Sequence, residues 1–258
     1  MLVACVTSPS EPEFNNPFIP GDPNYTDPQT TITSGPAEGA VLDSHAVTFS
    51  WTGNRDEMEF RFRLNAGIWS DWAADTAVAY TYQDEGPNLF EVHGRYISLV
   101  EEKTPASRLY EINNIQGPAL WLSPRYQEAS QGDFRTVIIM LEEVTDVMAA
   151  KVLITFDPAQ FEILAVILYN DSRSLLTSTG GSVIGFASYD NSAGTATIEA
   201  VTVAGIPAGV SGRGPIAEAR FKVLAGGVLS FGAGSTLRDP DNAEISLSSM
   251  VHSRVVVN

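Results

Sequence analysis

Alternation of apolar and polar residues is the main pattern along this chain. Every second residue is apolar in the segments 47–51 and 58–64, and turn-forming residues separate such segments at intervals of about ten residues. A period of two predicts strands with one buried face, and the absence of a helical pattern between them predicts β-sandwiches. The side chains expected inside the first sandwich are Val47, Phe49, Trp51, Met58, Phe60, Phe62 and Leu64.

Two motifs in residues 31–116 carry a family resemblance. The strand tryptophan Trp51 is followed by F-R-F-R-L-N-x-G-x-W-S-x-W at 60–72 and by E-G-x-N-x-F-x-V-x-x-R at 85–95. This combination resembles the fibronectin-III-like and immunoglobulin-like modules of bacterial surface proteins. The resemblance implies a first β-sandwich domain and is almost silent on function.

The second half of the chain reads as a further β-sandwich, over residues 117–258. Residues 135–141 are apolar on both faces, as expected for a strand between two layers, and 150–156 form the next strand. That strand ends at Asp157-Pro158, where Asp accepts backbone N–H bonds and Pro presets a helical φ. We therefore expect one tight turn that directs Phe161 into the core.

Three motifs in this half resemble the cohesin family, in the family's order. F-D-P-A-Q-F-E-I at 156–163 is similar to the cohesin signature Y-D-P-x-x-L-E-V, and 211–223 matches S-G-x-G-x-I-A-x-x-x-F-K-V. Leu237-Arg238-Asp239 is similar to the final turn of the family. The resemblance implies a jelly-roll sandwich that binds dockerin modules, which are calcium-loaded helical tags. The glycines of the second motif are expected in a tight turn.

Alternation predicts part of a partner-binding sheet face. The outward side chains on two strands are expected to be Lys151, Leu153 and Thr155 and, on the other strand, Glu218, Arg220 and Lys222. In the strand at 195–201 both alternating sets of side chains contain apolar residues, so the sequence does not decide which set points outward. Many cohesins have an acidic residue at the position that matches Lys151, so the family's dockerin contacts do not transfer and the partner's identity is open.

The N-terminal thirty residues predict an anchor and a tether. Leu2-Val3-Ala4-Cys5 contains the only cysteine and resembles a bacterial lipobox, which implies lipidation of Cys5 and display outside the cytoplasm at the cell surface or the periplasmic face. The charged start and apolar run of a signal peptide do not precede it, so we expect them upstream of Met1. Six of the 15 prolines lie in 1–30, which predicts an extended spacer whose Phe14, Phe18 and Tyr25 dock on the first domain.

Charge and motif content argue against several function classes. A net charge of −16 disfavours nucleic acid and anionic lipid as partners. The chain has no nucleophile-elbow, P-loop or Rossmann motif, and its three histidines (His45, His93 and His252) lack metal-ligand spacing, so we expect a non-catalytic protein without cofactor. Asp239 and Asp241 offer oxygen ligands for calcium, but a turn capped by Asx side chains is favoured over an ion site.

Two alternatives to protein binding stay open. A carbohydrate-binding surface would use exposed aromatic rings, with Trp69, Trp72, Trp121 and Tyr126 as candidates. Trp69 and Trp72 are expected on one strand, three residues apart and therefore on opposite faces. The other alternative is a structural spacer without a dedicated ligand.

Overall fold

The computed structural model describes residues 16–203 and 208–258, and these are almost entirely strands and turns. The first seven strands are β1 Thr30–Ser34, β2 Ala40–Leu42, β3 Val47–Gly53, β4 Met58–Leu64, β5 Ala77–Tyr80, β6 Gly86–Tyr96 and β7 Ala106–Ile112. The all-β prediction is confirmed. Within the described ranges no helix has the length and apolar character needed to cross a bilayer.

Thirteen further strands follow in the described residues, with one 3-10 helix at Leu175–Thr177. They are β8 Ala119–Ser123, β9 Tyr126–Ala129, β10 Phe134–Val147, β11 Ala149–Thr155, β12 Phe161–Leu168, β13 Ser182–Asp190, β14 Thr195–Val203, β15 Val210–Val223, β16 Gly227–Phe231, β17 Thr236–Arg238, β18 Glu244–Ile245, β19 Ser249–Val251 and β20 Ser253–Val257.

These strands belong to two compact units. The first contains residues 16–40, 48–79 and 88–110, and the second contains 41–47, 80–87 and the described residues from 111 onward. The domain boundaries expected at 30/31 and 116/117 stay predictions. Cys5 and Phe14 lie outside the described residues.

The first unit is built around a cluster of aromatic rings. Most of its strand residues belong to a three-stranded sheet in the order β1-β3-β5 and a four-stranded sheet in the order β2-β7-β6-β4. Phe49 of β3 stacks on Phe90 of β6, with ring centroids 3.9 Å apart, and Trp51 packs beside the same ring. The predicted inward phase of the strand at 47–51 is confirmed, because Val47, Phe49 and Trp51 are all buried.

Part of the proline-rich segment packs onto the first unit. Phe18 and Tyr25 both meet the ring of Tyr96 edge-on, at centroid distances of 5.3 and 6.5 Å. The Tyr96 hydroxyl donates a hydrogen bond to the Thr26 carbonyl, and Ser98 Oγ donates one to the Phe18 carbonyl. The predicted docking of Phe18 and Tyr25 is therefore confirmed.

The second unit is a two-layered sandwich. One sheet has five strands in the order β12-β15-β10-β8-β19. The other has eight, with β13-β14-β11-β16-β20-β9 as its main path; β17 also pairs with β11, and β18 pairs with β17. Buried side chains from both sheets form one apolar core, in which Phe161 and Phe221 meet edge-to-face at 5.3 Å. The two layers exclude water from these rings, and that burial is the main stabilising term.

The Asp157-Pro158 turn has the predicted form. Asp157 Oδ1 accepts the Ala159 N–H at 2.8 Å, and the Phe161 N–H reaches the Asp157 carbonyl at 3.0 Å. Phe161 is completely buried.

The glycine motif differs from expectation, because residues 211–214 lie inside the long strand β15. Gly212, at φ +117°, lies where the register between β10 and β15 shifts, so glycine serves a strand irregularity and not a tight turn.

Candidate functional site: an apolar sheet face

The outer face of the eight-stranded sheet presents regular rows of side chains across β13, β14 and β11. Continuous antiparallel register aligns Ile184 with Val201 and Val201 with Ala149 in the first row. The next row joins Phe186, Glu199 and Lys151. The third and fourth rows are Ser188–Thr197–Leu153 and Asp190–Thr195–Thr155. We name this surface, formed by the four rows, the β13 face.

Three apolar side chains on the β13 face are open to solvent. Ile184 is 62% exposed, Phe186 is 60% exposed and Val201 is 37% exposed. They border a shallow groove of about 460 Å³, and Ala149, Lys151 and Arg238 also line it. A group of large apolar residues exposed together, unlike a single one, is typical of an interaction surface.

The charged groups on this face already have partners. Lys151 Nζ and Glu199 Oε1 form an ion pair at 3.1 Å, directly across the β11–β14 pairing. Arg238 Nη1 donates to the Asn242 carbonyl at 2.8 Å. The face is therefore apolar along one side, next to charges that neutralise each other or bond to backbone.

Leu153 points outward as predicted but lies under a loop. Its side chain contacts Gly232 so closely that a Cβ at that glycine would lie 2.6 Å from Leu153 Cδ2. Ser235 Oγ accepts the Leu153 N–H at 3.0 Å and holds the loop in place. Ile184, Phe186 and Val201 were not predicted from the sequence. The alternation that places Ile184 and Phe186 on one face of the strand at 182–190 is nevertheless present in the sequence.

The two predicted outward triplets do not share a face. Lys151, Leu153 and Thr155 belong to β11 in the eight-stranded sheet, whereas Glu218, Arg220 and Lys222 belong to β15 in the five-stranded sheet. The expectation of one surface containing both Leu153 and Arg220 was therefore wrong. Alternation along a strand identifies outward side chains but not the sheet that carries them.

Glu218 is also less accessible than predicted. It accepts a hydrogen bond from the Tyr169 hydroxyl at 2.7 Å and one from Arg220 Nε at 2.8 Å, and the residue is only 8% exposed. Arg173 lies over the Tyr169 ring at 4.1 Å. The Tyr169 bond lowers the pKa of Glu218, and burial raises the pKa of Tyr169 to about 12. The polar and charged groups of this cluster therefore bond to one another.

The candidate sugar-binding rings are not available as flat platforms. Trp121 is 2% exposed and packs against Ile115 and Ala119, so its assignment to a sugar surface was wrong. Tyr126 is stacked on Tyr82 at a centroid distance of 5.4 Å.

Trp69 and Trp72 lie on the same face, contrary to expectation. They are in an irregular segment after β4 and not on a strand, so the strand period does not apply to them. They alternate with guanidinium groups in the order Arg63, Trp69, Arg61, Trp72, Arg95, at distances of 4.3 to 5.1 Å from ring centroid to guanidinium carbon. We name this stack the Arg–Trp ladder.

Carboxylates hold the arginines of the ladder in place. Arg63 pairs with Glu91 at 2.7 Å, Arg95 with Glu59 at 2.6 Å, and Arg61 with Glu101 at 3.2 Å. Arg61 Nη2 donates a hydrogen bond to His93 Nδ1 at 3.1 Å, and the His93 ring lies beside both indoles. The indole faces are therefore occupied by cations, which makes the ladder a stabilising feature of the first unit.

We expect Arg61→Gln to destabilise the first unit by about 1–3 kcal/mol, because it removes two cation–π contacts and one ion pair from the middle of the ladder. Urea unfolding followed by tryptophan fluorescence measures this loss. Lys103→Gln is the matched control, since Lys103 forms an exposed ion pair with Asp27 and makes no ring contact of this kind. An equal loss in both variants would contradict the role of the ladder.

The segment that contains Asp239 and Asp241 forms the turn that was favoured over a calcium site. Asp239 Oδ1 accepts the Ala243 N–H at 2.8 Å, and the Asn242 N–H bonds to the Asp239 carbonyl, as in an Asx-capped turn. In the part of the chain that the structure describes, no three His, Cys, Asp or Glu side chains are grouped so that they could hold a metal ion. The expectation that the protein carries no cofactor stays a prediction.

Comparison with known proteins gives structural likenesses to cohesin domains. A type II cohesin domain from the cellulosome of Acetivibrio cellulolyticus is 17% identical over 52% of this chain and 94% of that domain, with a TM-score of 0.42. The sixth cohesin of scaffoldin B from the same organism, solved in complex with a Cel5 dockerin, is 14% identical over 55% of this chain and all of that chain, with a TM-score of 0.45.

A third solved structure, CaCohA2 from Clostridium acetobutylicum, is 19% identical over 55% of this chain and 96% of that chain, with a TM-score of 0.41. No protein-family model and no curated protein sequence matches the chain. These likenesses are partial and of low identity.

Proposed function

We propose that the second unit is a non-catalytic protein-binding module and that its partner docks on the β13 face. The observation that carries this proposal is the group of exposed apolar side chains Ile184, Phe186 and Val201 in two adjacent rows. Leaving them in water is unfavourable, at about 25 cal/mol per Å² of apolar surface. A partner that covers them recovers this free energy.

The chemistry of the β13 face favours a protein over a sugar. Its apolar side borders the Lys151–Glu199 pair and Arg238, so exposed apolar side chains lie next to polar groups. This is the composition of protein interfaces, whereas sugar sites need free aromatic ring faces beside hydrogen-bonding groups. Phe186 is the only exposed aromatic side chain in the four described rows.

A dockerin-like module is the partner that the cohesin resemblance of the sequence implies. In the same proposal, the chain is a cell-surface lipoprotein anchored outside the cytoplasm through Cys5. The first unit, which the sequence motifs liken to fibronectin-III and immunoglobulin modules, acts as the stalk. The Arg–Trp ladder supports that role, since its indole faces are covered by guanidinium groups of β4 and β6.

Isothermal titration with a panel of dockerin modules, in calcium and in EDTA, tests the proposal. We expect calcium-dependent binding by the full chain, and a loss of at least about tenfold in affinity for Phe186→Asp, because an apolar anchor of the interface becomes a desolvated charge. Phe134→Asp is the matched control, since Phe134 is 68% exposed and lies on β10 in the other sheet. Loss in the control alone would refute the docking face, and silence across the panel would refute a dockerin-like partner.

A further inference from the structure

Strand β13 is an edge strand of the eight-stranded sheet. Strand β12 of the other sheet lies beside it, and the Tyr189 hydroxyl donates to the Leu164 carbonyl at 3.1 Å. Strand β13 pairs with β14 through nine consecutive residues without a register shift, and no strand within 16–203 or 208–258 pairs with its other side. Seven of its nine residues are exposed, and only Val183 is buried. Because alternate backbone N–H and C=O groups of an antiparallel strand point away from its partner, this edge can accept another strand.

The usual devices that protect an edge are missing from β13. Natural sheets block their edges with lysine or other charges, proline, bulges or very short strands. Residues 182–189 read S-V-I-G-F-A-S-Y, which contains no charge and no proline, and Asp190 is the first charged residue. Val, Ile, Phe and Tyr favour extended backbone. The strand is therefore long, regular and apolar where protection is expected.

We propose that β13 pairs antiparallel with β13 of a second copy of this chain, about a twofold axis through Phe186. This register places Ile184 opposite a small side chain and Phe186 opposite a matching ring. Ile184 faces Ser188, Val183 faces Tyr189, Gly185 faces Ala187, and Phe186 faces its own copy. Cross-strand aromatic pairs and alternating sizes both favour such a pairing.

The twofold register, in which Phe186 meets its own copy, favours a second copy as the occupant, and the lack of charge in 182–189 permits it. The chain carries a net charge of −16, so two copies repel each other at most orientations. At the β13 edge two copies can approach without placing like charges opposite each other, since Asp190 would face only Ser182. Added salt screens the remaining repulsion, so self-association through this edge strengthens as ionic strength rises.

Sedimentation velocity on the full chain, over a concentration series at low and high salt, tests this pairing. We expect a monomer–dimer equilibrium that shifts toward dimer with salt. Ser188→Lys is expected to abolish the dimer, because a lysine on an edge strand opposes pairing. Thr197→Lys is the matched control: Thr197 is the direct cross-strand neighbour of Ser188 and lies one strand away from the edge. The control is expected to dimerise like the wild type.

Hydrogen exchange supplies an independent readout, since the amides of 182–190 should gain protection as protein concentration rises. A wild type that stays monomeric at every concentration and salt level overturns the pairing. Equal loss of dimer in Ser188→Lys and Thr197→Lys also overturns it, because that result indicates contact between sheet faces. Dimers that persist in both variants place the contact elsewhere and overturn it as well.

Discussion

Replacing Glu142 by glutamine is expected to remove the part of the pH dependence of the second unit's stability that this carboxyl causes between about pH 5 and pH 8. The Glu142 side chain is 1% exposed, and its Oε2 accepts the Trp121 Nε1–H at 3.1 Å. Burial raises the pKa of Glu142 to about 7, helped by the negative charges of Glu85 and Glu143, while Arg213 and the Trp121 bond oppose the shift.

The sign of the effect follows from the direction of this shift. The pKa in the folded state lies above the ordinary value of 4.5, so folding favours the protonated carboxyl. The stabilisation is complete below the unfolded pKa, and it is lost as pH rises toward and through 7. At about pH 8 the wild type therefore carries a buried charge that costs up to about 3 kcal/mol of unfolding free energy.

Glutamine keeps the acceptor for Trp121 and cannot ionise. We expect Glu142→Gln to match the wild type near pH 4.5, the ordinary pKa, and to exceed its unfolding free energy as pH rises above neutrality. Urea titrations at a series of pH values measure this difference. Glu199→Gln is the control, because Glu199 lies on the exposed β13 face and pairs with Lys151. Parallel pH profiles for wild type and Glu142→Gln would show that the carboxyl does not titrate in this window.

The core substitution Phe221→Ala is expected to destabilise the second unit by about 3–5 kcal/mol, which includes the lost edge-to-face contact with Phe161. Phe221 is completely buried in β15, between the two sheets, so alanine leaves a cavity. Urea unfolding gives the loss directly.

Phe134→Ala is a matched test of this reasoning. Phe134 lies on the neighbouring strand β10 of the same sheet and is 68% exposed, so its removal is expected to cost within about 0.5 kcal/mol. Similar losses for the two phenylalanines would mean that the core does not lie between the five-stranded and eight-stranded sheets.

Strand phases were predictable from the sequence because they are local. The buried rows of β3 and β11 follow from alternation alone, and Asp157-Pro158 marks a turn through the chemistry of two adjacent residues. The phase of β14 was not predictable, since both sets contain apolar residues. Packing decides it: Ala196, Ile198 and Ala200 face the core, and Glu199 and Val201 face out.

Side-chain partners outside regular strands were beyond the sequence pattern. Trp69 and Trp72 were assigned to opposite faces on the assumption of a strand, but the irregular backbone lets both rings insert between arginines of β4 and β6. Similarly, Trp121 was predicted as an exposed sugar-binding ring, but it packs against Ile115 and donates a hydrogen bond to the Glu142 carboxyl. These contacts join residues that are far apart in the chain.

The amino-acid sequence by itself determined the all-β class, the inward side chains of the clearest strands and the Asp157-Pro158 turn, because each depends on residues within a few positions of one another. Only the tertiary structure decided that β11 and β15 belong to different sheets, and that β13, β14 and β11 expose Ile184, Phe186 and Val201 together. Strand order depends on pairing between distant segments and on how two layers close over one core. The composition of a sheet face therefore cannot be read from any single strand.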